Sequence, residues 1–185
     1  LRTSEAFMGA AVQAMSIAVN IGKVTAGFVE RNKNGYTKRN APAVGLFVRA
    51  IKFYEAFVRE TASRRGDIAW VHVRPVIEAY VQCVYLMRQS ASSAKSFIRT
   101  SLRAEKDMLA RIRSNMQGRR AWPIERRMLR SIRNYLRMAG WTEAELAANR
   151  EWRLDGKDMR KLMEAIGLGD SYGFLYGNGS HYVHG

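Results

Sequence analysis

Apolar residues recur every three or four positions along most of this chain, which is the spacing of one face of an α-helix. The first series consists of Phe7, Ala11, Ala14, Ala18, Ile21, Thr25 and Phe28. It predicts a long first helix that begins near Thr3 or Ser4, because both residue types accept hydrogen bonds at helix N-termini. The small side chains in this series would allow another helix to approach closely.

Two further amphipathic helices are predicted before and after the sequence ASRRGD. The second helix begins after Asn40 and has Pro42 in its first turn, a position that proline favours. Its apolar residues are Phe47, Ala50, Ile51, Tyr54, Phe57 and Val58.

The third helix has Asp67 as its cap and ends near Gln89. Its apolar residues are Trp70, Val73, Ile77, Tyr80, Val81 and Val84. Pro75 lies inside this stretch, so we expect either a kink or a helix that starts just before it.

Three more helices are predicted over residues 93–115, 124–138 and 170–185, the last from aromatic residues among glycines. No stretch alternates between apolar and polar residues as a half-buried β-strand would. We therefore predict an all-α protein, an up-and-down helical bundle with additional short helices, folded as a single domain over residues 1–185. Leu1 is not an initiator methionine, so we expect the sequence to be a fragment of a slightly longer chain.

Two short helices are predicted from signals at their ends. Thr142 and Glu145 have the spacing of a capping box, in which each side chain accepts a hydrogen bond from the other residue's backbone. The residues that would form the accompanying hydrophobic staple are Trp141 and Leu146. The next short helix is predicted to open at Asp155 and to stop at Gly167. Its inward residues would be Met159, Leu162, Met163 and Ile166.

The composition favours an anionic partner and a reducing compartment. The formal net charge is +15 and the isoelectric point is about 10.5, which favours RNA or another polyanion, an acidic protein or an anionic membrane surface. Cys83 is the only cysteine, so an intrachain disulfide is excluded and a cytoplasmic location with a buried structural thiol is expected. The longest apolar run, 7–22, is interrupted and shorter than the roughly 18 residues of a membrane span, so we expect no membrane partner.

Positive charge is concentrated in residues 103–137, which hold eleven basic and three acidic side chains, a net charge of +8. The candidate nucleic-acid-binding residues in this segment are Arg119, Arg120, Arg126, Arg130, Arg133 and Arg137. The last four are spaced by four, three and four residues, which places them in one stripe along a helix. Leu129, Ile132 and Leu136 lie on a different face and can pack inward. The stripe could bind phosphates, or it could be a solvated face without a partner. Trp122 and Tyr135 could stack on bases.

A second candidate site combines the middle and the end of the chain. Arg74 and Glu78 are four residues apart, so a helix would place them on one face beside apolar residues, where burial requires pairing. The candidate residues near the C-terminus are Tyr176, Ser180, His181 and His184. A helix would place three of these on one face and His181 about 100° away. A buried polar cluster that docks the last helix onto the third is the structural interpretation of this pattern.

These same residues carry a resemblance to a known family. RPVIEAYVQCVYL at 74–86 resembles the Arg-x3-Glu helix of an uncharacterised bacterial all-helical family, and LYGNGSHYVHG at 175–185 resembles its second signature. That family is in turn similar to HEPN-type helical domains, many of which are toxin or defence ribonucleases. HEPN-type domains place an arginine four to six residues before a histidine on one helix. His184 matches the histidine, whereas residues 178–180 contain no arginine, so Arg74 would have to supply the cation.

The residues leave three chemistries open beside the structural role. In RNA cleavage, His184 would act as general acid or base and Arg74 would hold the scissile phosphate. Alternatively, Ser180 and His184 could form a nucleophile pair oriented by Glu78. His181 and His184 could also contribute to a metal site. The resemblance favours a metal-independent ribonuclease without a cofactor. The alternative is a non-catalytic helical interaction or structural module, including a homodimer formed through the first helix.

Overall fold

Eight α-helices account for most of residues 3–28 and 35–177, the part of the chain that the computed structural model describes. They are α1 (Ser4–Phe28), α2 (Ala41–Ala62), α3 (Gly66–Arg88), α4 (Ala91–Ser101), α5 (Arg103–Asn115), α6 (Pro123–Ala139), α7 (Glu143–Ala148) and α8 (Met159–Ala165). Two 3₁₀ turns occur at Leu154–Gly156 and Gly169–Ser171, and a π-helical turn occurs at Gly173–Gly177. The all-α prediction is confirmed.

The chain divides into two compact units. Unit 1 comprises Leu1–Ser90 and Lys157–Gly185, and unit 2 comprises Ala91–Gly156. Unit 1 therefore contains α1, α2, α3 and α8 together with the C-terminal turns. Unit 2 contains α4 to α7. The two candidate sites fall in different units, because Arg74, Glu78 and Tyr176 belong to unit 1 and the arginine-rich segment belongs to unit 2.

Unit 1 is built around α2 and α3, which are joined by only three residues and pack together as a helical hairpin. The buried residues of α2 include Ala43, Leu46, Ala50 and Val58, and those of α3 include Ala69, Ala79, Val81, Cys83, Tyr85 and Leu86. The small residues among them allow the two helix backbones to lie close together. Helix α8 packs on α3 and contributes Leu162, Met163 and Ile166. Arg88 of α3 donates a hydrogen bond of 2.9 Å to the Ile166 carbonyl.

Helix α3 differs in detail from its prediction. It begins at Gly66 with Arg65 as its cap, so the prediction of Asp67 as the cap is wrong. Asp67 lies in the first turn, where its charge is favourable to the helix dipole. The helix continues through Pro75 without starting there. Tyr80, expected in the apolar stripe, is 52% exposed, whereas Ala79 is buried.

Helix α1 begins as predicted, since the backbone amide of Ala6 donates to Thr3 Oγ1 at 3.1 Å. It packs on α2 through the side that carries Val19 and Gly22, which are buried. The stripe read from the sequence lies on a different side, and its members Phe7 and Ile21 are exposed. Residues Ser4–Ala26 are also long and apolar enough to cross a membrane by length and composition alone, and little of this stretch is buried. This finding concerns length and composition alone, and the absence of a membrane partner stays a prediction.

Unit 2 has a core of six apolar residues from α5, α6, α7 and the residue that precedes α5. They are Leu102, Leu109, Ile112, Ile132, Leu136 and Leu146. Ile132 and Leu136 are therefore inward as predicted, with Leu129 packed against them. The single helix predicted over 93–115 is wrong, because it breaks at Leu102 into α4 and α5. Thr100 and Ser101 donate their hydroxyls to carbonyls three residues earlier, which competes with the α-helical hydrogen-bond pattern at this point.

The ends of the short helices test the capping predictions. At α7, Glu145 N donates to Thr142 Oγ1 and Thr142 N donates to Glu145 Oε2, so the capping box is confirmed. Helix α8 is capped by Asp158, whose side chain accepts from Lys161 N at 2.9 Å. The prediction that Asp155 opens this helix is therefore wrong. Asp155 lies in the preceding 3₁₀ turn with a φ of 48°. Gly167 follows α8 with a φ of +84°, as a helix stop requires.

The C-terminal segment is not an α-helix over the residues described. After α8 the chain forms the 3₁₀ turn at Gly169–Ser171 and then the π-helical turn at Gly173–Gly177. The predicted helix over 170–185 is therefore wrong up to residue 177. Glycines at 169, 173 and 177 disfavour a regular helix because they lose more backbone entropy than other residues. Ser180, His181 and His184 lie outside the described residues.

Candidate functional site

The polar cluster of unit 1 begins with Arg74 and Glu78 on consecutive turns of α3. Arg74 Nε donates a hydrogen bond of 2.9 Å to Glu78 Oε1. The i,i+4 spacing brings the two side chains together on one face of the helix. Both are partly buried, with 27% and 32% of their side chains exposed. The pairing that the sequence predicted is therefore formed.

Tyr176 completes this cluster from the C-terminal π-helical turn. Its hydroxyl donates to Glu78 Oε1 at 3.1 Å, so that one carboxylate oxygen accepts from both Arg74 and Tyr176. The Arg74 guanidinium also lies 4.9 Å from the centroid of the Tyr176 ring, a cation–π contact. Tyr172 stacks on Tyr176 with ring centroids 5.3 Å apart. The structure thus brings together three of the predicted site residues, namely Arg74, Glu78 and Tyr176.

Apolar contacts hold the π-helical turn beside α2 and α3. Phe174 and Leu175, the two residues before Tyr176, line a small cavity of about 220 Å³ together with Trp70 and Ile77 of α3 and Tyr54 of α2. Because Leu175 is adjacent to Tyr176, packing of this turn on α3 places the tyrosine hydroxyl near Glu78. Helical periodicity could not find this arrangement, since the turn has no α-helical spacing.

The cluster has defined protonation states at neutral pH. The hydrogen bond to Glu78 raises the pKa of Arg74 above its ordinary value, against the smaller opposing effect of burial. Burial raises the pKa of Tyr176, and the nearby Glu78 carboxylate raises it further. Tyr176 is therefore a hydrogen-bond donor rather than a base near neutral pH. The cluster presents a guanidinium, a carboxylate and a phenol to any group that approaches.

Other side chains of unit 1 are less suited to catalysis or metal binding. Cys83 is 4% exposed and its thiol contacts the Ala43 carbonyl at 3.3 Å. Burial raises the pKa of Cys83, which makes it a structural thiol as the sequence predicted. His72 lies against Phe53, with ring centroids 6.3 Å apart. Across residues 3–28 and 35–177, no group of three or more His, Cys, Asp or Glu side chains is arranged to hold a metal ion.

The arginine stripe of unit 2 lies on the solvent-facing side of α6. Arg126, Arg130, Arg133 and Arg137 are all exposed, while Ile132 and Leu136 of the same helix are buried. Arg126 donates to the Ala121 carbonyl at 2.9 Å and Arg137 donates to Asn134 Oδ1 at 3.3 Å. Neither arginine forms an ion pair with a residue of the described ranges. We call the four arginines the α6 stripe.

Glu143 supplies an ion pair to this stripe in the described part of unit 2, a role that no sequence pattern predicted. It forms ion pairs with Arg133 of the stripe and with Arg113 of α5. Glu143 follows Thr142 directly and lies in the first turn of α7, where an acidic residue is common for reasons of the helix dipole alone. Its contact with α6 therefore has no separate signal in the sequence. One carboxylate compensates only part of the stripe.

Arg119 has a different role from the stripe. Its guanidinium donates two hydrogen bonds to Glu125, at 2.8 and 2.6 Å, and Glu125 also accepts from Trp122 N at 2.8 Å. The hydrogen bonds from Arg119 and Trp122 lower the Glu125 pKa to about 2. Arg119 lies 4.4 Å above the Trp122 ring. It ties the loop before α6 to the first turn of the helix, whereas Arg120 is exposed.

Comparison with known proteins gives a family assignment. The model of one family, described as a family of unknown function (DUF5677), matches residues 40–185. No curated protein and no solved structure matches the chain. The match covers most of the sequence, including α2 to α8, both parts of the polar cluster and the α6 stripe. The chain therefore belongs to DUF5677, a family of unknown function.

Proposed function

We propose that this protein is a HEPN-like cytoplasmic RNA-binding protein of bacterial toxin or defence type, and that the α6 stripe binds the RNA backbone. The observation that carries the proposal is the exposure of Arg126, Arg130, Arg133 and Arg137 along one side of one helix. From Arg126 to Arg137, the stripe advances by eleven positions, or about 16 Å of helix. Like charges at these spacings repel each other, and a bound polyanion would remove that cost.

The exposed Trp122, at the N-terminus of the helix that carries the stripe, favours a single-stranded RNA over a duplex. Trp122 is 60% exposed. Tyr135 is 54% exposed but lies about 170° around α6 from the stripe arginines. Unpaired bases stack on exposed aromatic rings, while arginines contact the phosphates between them. An acidic protein would satisfy the charge but would leave the Trp122 ring without a specific role.

The test compares two variants that lose the same charge. One replaces Arg126, Arg130, Arg133 and Arg137 with Gln, and the control replaces four exposed cations of unit 1, Lys38, Arg39, Lys52 and Arg160, with Gln. Binding of a fluorescently labelled single-stranded RNA is measured by anisotropy, and thermal unfolding verifies that each variant is folded. We expect the stripe variant to lose at least tenfold in affinity and the control to lose much less. Equal losses would mean that net charge alone attracts the RNA, and the stripe would have no specific role.

A metal-independent ribonuclease is the second candidate function, and the contact between Tyr176 and Glu78 favours it. That contact fixes the chain beside Arg74 at residue 176, and Ser180 and His184 follow four and eight residues later in the sequence. In this proposal Arg74 holds the scissile phosphate and His184 moves the proton between the ribose hydroxyl and the leaving oxygen. His181 and Ser180 would belong to the same site.

Cleavage of a labelled RNA in the presence of EDTA tests this second function. We expect wild type to cleave, and Arg74→Ala and His184→Ala to lose at least a hundredfold in rate, the range that a general acid–base group contributes. His72→Ala is the matched control, since His72 is two residues from Arg74 and packs on Phe53. No cleavage by wild type, or equal cleavage by all four proteins, would leave the alternative of a non-catalytic helical interaction module.

A further inference from the structure

The outward side of α1 carries an apolar seam with the spacing of a coiled coil. Its residues are Phe7, Ala10, Ala14, Ile17, Ile21 and Val24, spaced by three, four, three, four and three. Phe7, Ile17, Ile21 and Val24 are each more than half exposed. The opposite side of α1 packs on α2 through Val19 and Gly22, so the seam is not the side that unit 1 uses for its own core. A three-four repeat of apolar residues is the pattern that receives a second helix.

We infer that this seam is a dimerisation surface, on which α1 of a second copy of this chain packs in the antiparallel direction. The sizes of the seam residues favour this partner. After Phe7, the N-terminal half of the seam has the small residues Ala10 and Ala14, and the C-terminal half has the branched residues Ile17, Ile21 and Val24. A two-fold axis that crosses α1 between Met15 and Ser16 makes these halves face each other. The residue numbers of each facing pair then add to 31. The facing pairs are Phe7 with Val24, Ala10 with Ile21, and Ala14 with Ile17 of the other copy.

In this arrangement every alanine of the seam lies opposite an isoleucine, so large and small side chains alternate across the interface. Such alternation allows two helices to interdigitate without voids. A parallel arrangement would instead place Ala10 against Ala10 and Ala14 against Ala14, which leaves gaps, and would crowd the isoleucines together. The antiparallel pair also uses the same surface on both copies, as a closed two-fold dimer requires.

The charge of α1 is compatible with contact between two copies of a strongly basic protein. The helix contains one acidic residue, Glu5, and one basic residue, Lys23, whereas the whole chain carries a net charge of +15. Both are already paired within unit 1, with Arg64 and Glu55 respectively. The positions that flank the seam are uncharged, and Gln13, Asn20 and Thr25 are the polar residues among them. Helix α1 can therefore approach another copy without bringing like charges together.

The same features disfavour a position of α1 flat in the surface of a lipid bilayer. Helices that lie in a membrane surface place Lys and Arg along the border of their apolar face, and often Trp as an anchor. Between Glu5 and Lys23, α1 has no charged residue, and it has no Trp or Tyr. Its other side is committed to α2, where a Cβ added to Gly22 would overlap the Ile51 side chain. Helix α1 would have to leave α2 before it could span a bilayer.

The area of the seam sets the expected strength of the dimer. A helix of 25 residues is about 37 Å long and about 10 Å wide. Two such strips bury roughly 700 Å² as flat area, and side chains that interdigitate bury somewhat more. This total is below the lower limit of about 1,200 Å² for a stable specific interface. We therefore expect a reversible dimer whose population changes with protein concentration in the range of about 1–100 µM.

Sedimentation equilibrium on the full chain at several concentrations tests the surface. We expect Ile17→Lys and Ile21→Lys each to raise the dissociation constant of the dimer at least tenfold. Ile68→Lys and Val71→Lys are matched controls, because these residues are 42% and 45% exposed on α3 and lie outside the seam. They should leave the dissociation constant within about twofold. A wild-type protein that stays monomeric at 100 µM, or controls that weaken the dimer equally, would overturn the inference.

Cysteine cross-linking tests the direction of the two helices. Across the proposed axis, residue 10 faces residue 21 of the other copy, while the two residues 10 are eleven positions apart, or about 16 Å, too far for a disulfide. We expect the double variant Ala10→Cys/Ile21→Cys to form a covalent dimer on mild oxidation, and each single variant to remain uncross-linked. Single variants that cross-link would indicate a parallel pair and contradict the antiparallel proposal. Binding of the monomer to lipid vesicles without self-association would assign the seam to a membrane instead.

Discussion

Tyr176 donates a hydrogen bond to Glu78 across 98 positions of sequence, with its hydroxyl 3.1 Å from Oε1. Glu78 is already paired with Arg74, so the tyrosine adds a second donor to the same carboxylate oxygen. This contact attaches the C-terminal turn to α3 in a partly buried environment. It is the long-range interaction on which the candidate site of unit 1 depends.

Removal of the Tyr176 hydroxyl should weaken this attachment. We expect Tyr176→Phe to lower the free energy of unfolding by about 1 kcal/mol, the usual value for one hydrogen bond to a partly exposed group. Denaturant unfolding measures the loss. Tyr172→Phe is the matched control, because the Tyr172 ring stacks on Tyr176 but its hydroxyl has no hydrogen bond among the described residues. A double-mutant cycle with Glu78→Gln should show that the two changes are not additive. Additive losses would show that the two side chains are not coupled.

Stability should fall in acid because of Glu125. Its pKa is about 2 in the folded protein, lowered from the ordinary value of 4.5 by the hydrogen bonds from Arg119 and Trp122. The unfolded chain therefore takes up a proton on this carboxyl at a higher pH than the folded chain does. The stabilisation is complete well above pH 4.5 and is lost as the pH falls from about 4.5 toward about 2.

Thermal unfolding between pH 2 and 7 measures this effect. We expect Glu125→Gln to be less stable than wild type at pH 7 and to lose less of its stability across the acid window. Glu164→Gln, which removes an exposed carboxylate of α8, is the control. If both variants flatten the acid profile equally, the effect comes from total charge rather than from Glu125.

The capping box of α7 should make a measurable contribution to the free energy of unfolding. Thr142→Ala removes the side chain that accepts from Glu145 N, and we expect a loss of about 1 kcal/mol, the typical cost of replacing an N-cap residue with Ala. Thr142→Ser keeps the hydroxyl and should cost much less. Chemical denaturation distinguishes the two, and equal losses would mean that the methyl group, not the cap, stabilises α7.

Substitution of two glycines of α1 by alanine should change the free energy of unfolding in opposite directions. A Cβ at Gly9 would meet no atom within 4 Å, so Gly9→Ala should stabilise the protein by about 0.5–1 kcal/mol through helix propensity. A Cβ at Gly22 would overlap the Ile51 side chain, so Gly22→Ala should destabilise it by about 1 kcal/mol after that gain is counted. Adding Ile51→Val to Gly22→Ala should restore part of the loss. A stabilising Gly22→Ala would show that α1 does not pack on α2 through this residue.

If the α6 stripe binds RNA, its affinity should depend steeply on salt. Each phosphate neutralised on a single strand contributes about −0.7 to the slope of log affinity against log salt concentration. Replacement of the four stripe arginines with Gln should therefore reduce the slope by about 3, whereas a replaced stacking residue, such as Trp122→Ala, should lower affinity with little change in slope. Anisotropy titrations between about 50 and 200 mM salt measure both quantities. An unchanged slope in the stripe variant would contradict phosphate contact by these arginines.

Helical spacing was sufficient to predict several parts of both candidate sites. The pairing of Arg74 with Glu78 and the outward position of the α6 stripe follow from residues four or fewer positions apart, which a helix must bring to one side. The break at Leu102 and the π-helical turn before residue 177 were not predicted. At Leu102, hydroxyls of Thr100 and Ser101 compete for backbone carbonyls, and intrinsic helix preference is too weak to decide such a case.

The sequence by itself determined the all-α class, the capping box of α7, the helix stop at Gly167 and the concentration of positive charge in residues 103–137. Each of these depends on composition or on interactions within about four residues, so no knowledge of distant packing is needed. Only the tertiary structure decided which side of α1 is buried, which carboxylate lies beside the stripe, and which turn supplies Tyr176 to Glu78. Those depend on contacts between residues 10 to 98 positions apart, where packing of whole helices, and not local preference, selects the partner.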